Sequence, residues 1–97
     1  MKVMKQGQLG NGNYYRLGVF AVGTKKRCRK VDRHLFHIGH INLDYDEQAA
    51  IELAKDTIAK NMKDTRSAKL HLDLIEIKDD SLLWQPFDDT HKRINLI

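Results

Sequence analysis

Residues 44–60 read DYDEQAAIELAKDTIAK, and this stretch decides the fold. Ala50, Leu53, Ala54, Thr57, Ile58, Asn61 and Met62 fall on one wide stripe at 3.6 residues per turn. Glu52, Lys55, Asp56, Lys60 and Lys63 fall mostly opposite. That pattern predicts one amphipathic helix over about residues 46–62, with its apolar stripe laid on another layer. Asp44 is placed to accept from the orphan N–H groups of the first turn, with Glu47 three residues on, as in a capping box. The acids of this turn also suit the positive end of the helix dipole.

On either side of the helix the period changes from 3.6 to 2. Upstream, Tyr14–Val22 (YYRLGVFAV) is rich in aromatic and β-branched residues and reads as a strand. Gly18 within it marks a bulge or a close backbone approach. Gly23-Thr24-Lys25-Lys26 reads as a hairpin turn and Arg27–Val31 as the returning strand. His34–Leu43 (HLFHIGHINL) is extended but changes face: Phe36 and Ile38 share one side, Ile41 and Leu43 the other. A period-2 strand cannot do this without an irregularity, so a bulge or a strand end is expected at Gly39. Whether residues 27–43 form one bent strand or two short ones stays open. Downstream, Leu70, Leu72 and Leu74 alternate with Lys69, His71 and Asp73 in a half-buried strand. Ile75 and Ile77 then take the opposite phase, which suggests a second bulge or a strong twist.

The expected fold is therefore α+β: a small antiparallel sheet of three to four strands with one amphipathic helix packed on one face, in the order β-β-(β)-α-β. The 97 residues make a single domain. Residues 1–12 read as a flexible lead-in, 13–78 as the core, and 79–97 as a tail. The tail, with Trp84, Phe87, Ile94 and Ile97, is too apolar to hang free and is expected to pack back or dock on a partner.

The charge is uneven. Residues 1–40 hold nine Lys/Arg and one acid, and residues 41–97 hold eight Lys/Arg and twelve acids. The densest run is KKRCRKVDR, Lys25–Arg33, in which six of nine residues are basic. Lys and Arg on phosphates supply most non-specific affinity for nucleic acid, and a two-stranded ribbon fits the major groove of a duplex. Arg16, Lys25, Lys26, Arg27, Arg29, Lys30 and Arg33 are the candidate nucleic-acid contacts. The competing explanation is a solvated hairpin whose charge protects a sheet edge.

With these elements placed, the chain resembles the AP2 domain and the arm-type DNA-binding domain of phage and transposon integrases. The likeness rests on an antiparallel sheet with a basic hairpin, the Ile38-Gly39 step, and the acid-capped, Ala-containing helix, over about residues 14–62. It implies a sheet lying in the major groove with Arg16, Arg27, Arg29 and Arg33 as groove contacts, a helix as back support, and a phage or mobile-element context. His40-Ile41-Asn42-Leu43 between the Ile-Gly step and the helix, the lack of a Trp on the sheet, and the strand over 68–78 depart from that pattern. The same element order also resembles small HicB-like antitoxin domains, which fold as a partial RNase H-like unit.

The remaining constellations point away from catalysis. His34, His37 and His40 are spaced by three, which on a strand sends His34 and His37 to opposite faces. A zinc site needs three or four convergent ligands, so no metal and no cofactor is expected. Asp79, Asp80, Asp88 and Asp89 flank LLWQPF and read as solvated turns. Cys28 is alone, so no internal disulfide forms, and this suits a reducing compartment. MKVMKQGQLGNG has no apolar h-region, and no run reaches the length of a membrane span, so a cytoplasmic protein is expected. The leading expectation is a small non-enzymatic protein that binds DNA or RNA. The alternative is a protein-interaction module, a small phage inhibitor or antitoxin-like regulator, that binds a protein or ribonucleoprotein through Trp84 and Phe87. The unpaired strand edges leave room for a homodimer.

Overall fold

The computed structural model describes residues 3–79, 81–84 and 91–97. Its elements are a short 3-10 turn at Gln6–Gln8, β1 (Gly12–Lys25), β2 (Asp32–Asn42), α1 (Glu47–Asn61), β3 (Met62–Lys78), β4 (Ser81–Trp84) and β5 (His91–Asn95). Every strand pair is antiparallel. The sheet order is β2-β1-β3-β4, and β5 pairs with β3 further along the same edge as β4. β1 is thus central, with β2 and β3 flanking it in the same direction and α1 crossing between them. This is the expected small α+β fold.

The helix forms where the 3.6 period places it, but its cap differs. Asp46, not Asp44, is the N-cap: its backbone is extended and its Oδ1 accepts from the Ala49 N–H at 3.2 Å. Leu43 and Asp44 are used up in the turn that leaves β2. Tyr45 then meets the Tyr15 ring edge-on, centroids 5.5 Å apart, just before the helix begins. At the other end no loop follows. Met62 still donates its N–H to the Ile58 carbonyl while its own φ and ψ (−115°, 140°) are already those of a strand.

That junction explains the two strand boundaries that sequence misplaces. β1 does not turn at Gly23-Thr24-Lys25-Lys26. It leaves β2 after the Gly23–Asp32 pair but keeps pairing with β3 as far as Lys25 opposite Met62. Arg27–Val31 is therefore loop and not a returning strand, and residues 63–66 are strand and not loop. Two register shifts accommodate the extension, one between Val22 and Gly23 and one between Thr24 and Lys25. Gly23 passes so close to β3 that a Cβ there would run into the Asp64 carbonyl.

β2 is one strand with one bulge. Leu17 pairs with Gly39 and Gly18 with His37, so Ile38 is the extra residue. Gly39 takes φ +151°, a conformation that glycine adopts most readily. The bulge resets the phase: Phe36 and Ile41 both belong to the helix-side core although five positions apart. It also keeps His34 and His37 on opposite faces, as expected, but moves His40 to the face of His37, whereas an unbroken strand would put it with His34. No second bulge occurs at Ile75. β3 holds register with β1 from Ser67 to Ile77. Ile75 and Ile77 lie on the side away from the helix and are buried there.

The core sits between α1 and one face of the sheet. Leu17, Val19 and Ala21 of β1, Ala68, Leu70 and Leu72 of β3, Ile41 of β2, and Ala50, Ala54 and Ile58 of α1 form one buried cluster. Four alanines at this contact let the helix approach the sheet closely. Each fully buried Leu, Ile or Val contributes about 1.5–3 kcal/mol relative to exposure. β5 adds Ile94 and Leu96 to the rim of this cluster. Near the start of the chain, Met4 bridges to His40 by two backbone hydrogen bonds of 2.9 Å, and Val3 packs against the core.

Candidate functional site

The basic run occupies the β1–β2 connection at one end of the sheet. Lys26 donates its N–H to the Asn61 carbonyl at 3.0 Å, and Cys28 donates to the Lys25 carbonyl at 3.1 Å. Arg27 takes a left-handed conformation, φ 68°. The loop is thus tied to the C-terminal end of α1, where positive charge is favoured by the helix dipole. That accounts for one or two cations and not for six. Lys26, Arg27, Arg29, Lys30 and Arg33 are exposed, and none pairs with a carboxylate among the described residues. Lys25 is half-buried, its ammonium 5.4 Å from the centre of the Phe36 ring. Cys28 is a free, exposed thiol in the same loop.

Arg16 does not belong to this patch. It pairs with His40 and Asp73 near the other end of β1, nine positions from Lys25, or roughly 30 Å at about 3.3 Å per residue. Its side chain faces the side of the sheet that α1 leaves uncovered. There the alternate residues of the core-forming strands come together: Arg16, Gly18 and Phe20 of β1, His37 of β2, Lys69, His71 and Asp73 of β3, and His91 and Arg93 of β5.

Asp73 organises one end of this open face. It is 8% exposed, and its Oδ1 accepts from Arg93 Nη1 at 2.7 Å and from His91 Nδ1 at 2.6 Å. Burial pushes its carboxyl up, but the hydrogen bonds from Arg93 and His91 outweigh burial and hold it below the usual carboxylate range. Beside it, His71 and Phe20 lie nearly parallel, at 13° and 5.7 Å between centroids. Burial, then the charge of Arg93, push His71 below the ordinary histidine value, with Asp73 acting the other way. His40 is pushed down by burial as well. A pocket of about 340 Å³ opens between Phe20, Ser67, Lys69, His71 and Arg93. A smaller one of about 30 Å³, lined by Arg16, Gly18, Leu35, His37, His71 and Asp73, adjoins it through the shared His71.

Sequence reasoning placed Lys69, His71 and Asp73 on the wet side of their strand but did not join them to anything. The missing piece was β5, whose pairing sets His91 opposite Asp73 and Arg93 opposite His71. The alternation in HKRIN was the available signal, at five residues too short to stand out from a polar tail. Trp84 lies in β4 opposite Ile75, while Phe87, Asp80, Asp88 and Asp89 lie outside the described residues. Among the described residues, no three His, Cys, Asp or Glu side chains converge as metal ligands, and no helix is long and apolar enough to cross a membrane. No family model, curated protein or solved structure matches this chain.

Proposed function

We propose that this chain is a small non-enzymatic nucleic-acid-binding protein that grips phosphates with the β1–β2 connection. The observation that carries this reading is the concentration of Lys26, Arg27, Arg29, Lys30 and Arg33 in one exposed segment without carboxylate partners among the described residues. Like charges this close repel one another, and a polyanion relieves that repulsion by exchanging its condensed counterions for protein cations. The loop is anchored to α1 through Asn61 and to the sheet through Lys25, so its charge is presented from a supported end of the molecule. A lone exposed thiol suits a reducing, cytoplasmic setting.

The test is fluorescence anisotropy with labelled duplex DNA, single-stranded DNA and RNA at low salt. The comparison is between the natural chain and a Lys26/Arg27/Arg29/Lys30→Ala variant of unchanged circular dichroism. Binding by the first and loss of at least about 10-fold in the second is expected, from removal of up to four phosphate contacts. Equal binding by both would refute the role given to the loop.

One observation favours a second reading, a module that pairs with another protein or a second copy. Among the described residues only Met4 pairs with the outer edge of β2, leaving the segment from Asp32 to Ile38 open, with Leu35 51% exposed beside it. Such an edge is a template for strand addition. Light scattering of the purified chain separates a dimer from a monomer.

A further inference from the structure

The pocket on the open face has a composition that the loop's role does not explain. Among the described residues that line it, Lys69 and Arg93 are fixed cations, Phe20 and His71 are parallel rings, Ser67 is a hydroxyl, and none is an acid. Asp73 stands next to it, but its charge is already taken by Arg93 and His91. Both bonds of Arg93 to Asp73 and to the Lys92 carbonyl come from Nη1, which leaves the Nη2 and Nε donors of a five-donor guanidinium for another acceptor. Phe20 and His71 lie nearly parallel, their planes 13° apart and their centroids 5.7 Å apart. Both line the pocket, so its wall carries aromatic surface from two rings.

Aromatic rings and two cations lining one pocket are complementary to a ligand that is planar at one end and anionic at the other. The volume of about 340 Å³ lies in the range of small-ligand sites and holds a single nucleotide unit. We propose that this pocket takes one nucleotide of a single-stranded nucleic acid, with the base against Phe20 and His71 and its phosphate between Lys69 and Arg93. This rests on the nucleic-acid reading above and narrows its substrate. A duplex keeps its bases stacked and paired, whereas single strands bind by laying bases on aromatic side chains beside a basic track. The smaller adjoining pocket, lined by Gly18, Leu35 and Asp73 as well as Arg16 and His37, lies next along the sheet.

The direct test is a two-dimensional amide NMR titration of the whole chain with AMP and UMP, run beside adenosine and inorganic phosphate alone. The proposal expects AMP and UMP to shift the amides of Phe20, Ser67, Lys69, His71 and Arg93. Adenosine or phosphate alone should shift them much less. Phe20→Leu keeps apolar volume but removes the stacking surface, and should weaken AMP and single-strand binding about 10-fold, the scale of one stacked base. Duplex binding should stay unchanged. Lys69→Gln, at an exposed position, should weaken AMP but leave adenosine as it was. Pocket amides that do not respond overturn the proposal, as does phosphate alone acting as strongly as AMP, or indifference to Phe20→Leu in a folded variant. The two readings fail separately. A silent pocket with loop-dependent polymer binding overturns only the pocket, single-strand binding that needs Phe20 but not the loop cations overturns only the loop, and no polymer binding at low salt overturns both, whatever the pocket does with AMP.

Discussion

The two faces of this sheet are built from the same strands and differ in almost every respect. On the helix side, Leu17, Val19, Ala21, Leu70 and Leu72 are wholly buried. On the other side their immediate neighbours are Arg16, Phe20, Lys69, His71 and Asp73. The first face is shaped by close packing and tolerates little change. The second keeps half-exposed rings and paired charges on a surface that no helix covers. Further along β3 that second face also buries Ile75 and Ile77, so its polar character is confined to the stretch around Arg16, Phe20, Lys69, His71 and Asp73.

Truncating the core should give the largest effect. Leu72→Ala removes a fully buried side chain and should cost about 2–5 kcal/mol, a large part of the roughly 5–15 kcal/mol that holds a small domain folded. Urea denaturation followed by circular dichroism reads this directly. Gly39→Ala comes next. It imposes a Cβ on a φ of +151° and drives it against Val3 and the Met4 carbonyl, so a loss of about 1–3 kcal/mol is expected. Because this bulge sets the phase of β2, the same variant should broaden or move the amide signals of His37 and His40 more than those of β3.

Acid should act on the open face before it reaches the core. The folded-state pKa values of His40 and His71 are lowered, mainly by burial. The unfolded chain therefore takes up protons first, and stability present above the ordinary histidine value of about 6.5 is lost as pH falls through and below it. Arg16 and His37 oppose a charge on His40. Arg93 and Lys69 oppose one on His71, with Asp73 partly favouring it. Asp73, lowered as well, adds a second loss only as pH drops through the carboxylate range. A melting temperature that is flat above about pH 7 and declines below about 6.5 is expected, with a smaller decline in His40→Gln. The smallest effect should come from Lys69→Gln, an exposed change on the open face, within about 0.5 kcal/mol of the natural chain.

The helix and its buried stripe were readable because period 3.6 over fifteen residues leaves little ambiguity, and so were the cores of β1 and β3. The boundaries were not. Sequence put the turn at Gly23 because glycine beside lysines resembles a hairpin tip, whereas that glycine is used for close approach to Asp64. Asp44 and Asp46 are equally good caps locally, and the structure takes up Asp44 in the turn after β2 and leaves Asp46 to cap. The basic loop was legible as charge. Arg16 was grouped with it because both lie on one strand pair, but nine positions of extended β1 separate Arg16 from Lys25. The pocket was illegible, since it depends on β5 returning to β3 across a separation of about twenty residues in which nothing local specifies the register.

The most direct test of the central claim is the salt dependence of binding. Affinity for duplex and single-stranded oligonucleotides would be measured across a salt series for the natural chain and for the Lys26/Arg27/Arg29/Lys30→Ala variant. Each phosphate contact contributes about −0.9 to the slope of log K against log salt on duplex DNA and about −0.7 on single strands. A steep slope that flattens by about 3 units in the variant is the predicted result. No binding at low salt, or an unchanged slope after the loop is neutralised, would contradict the account.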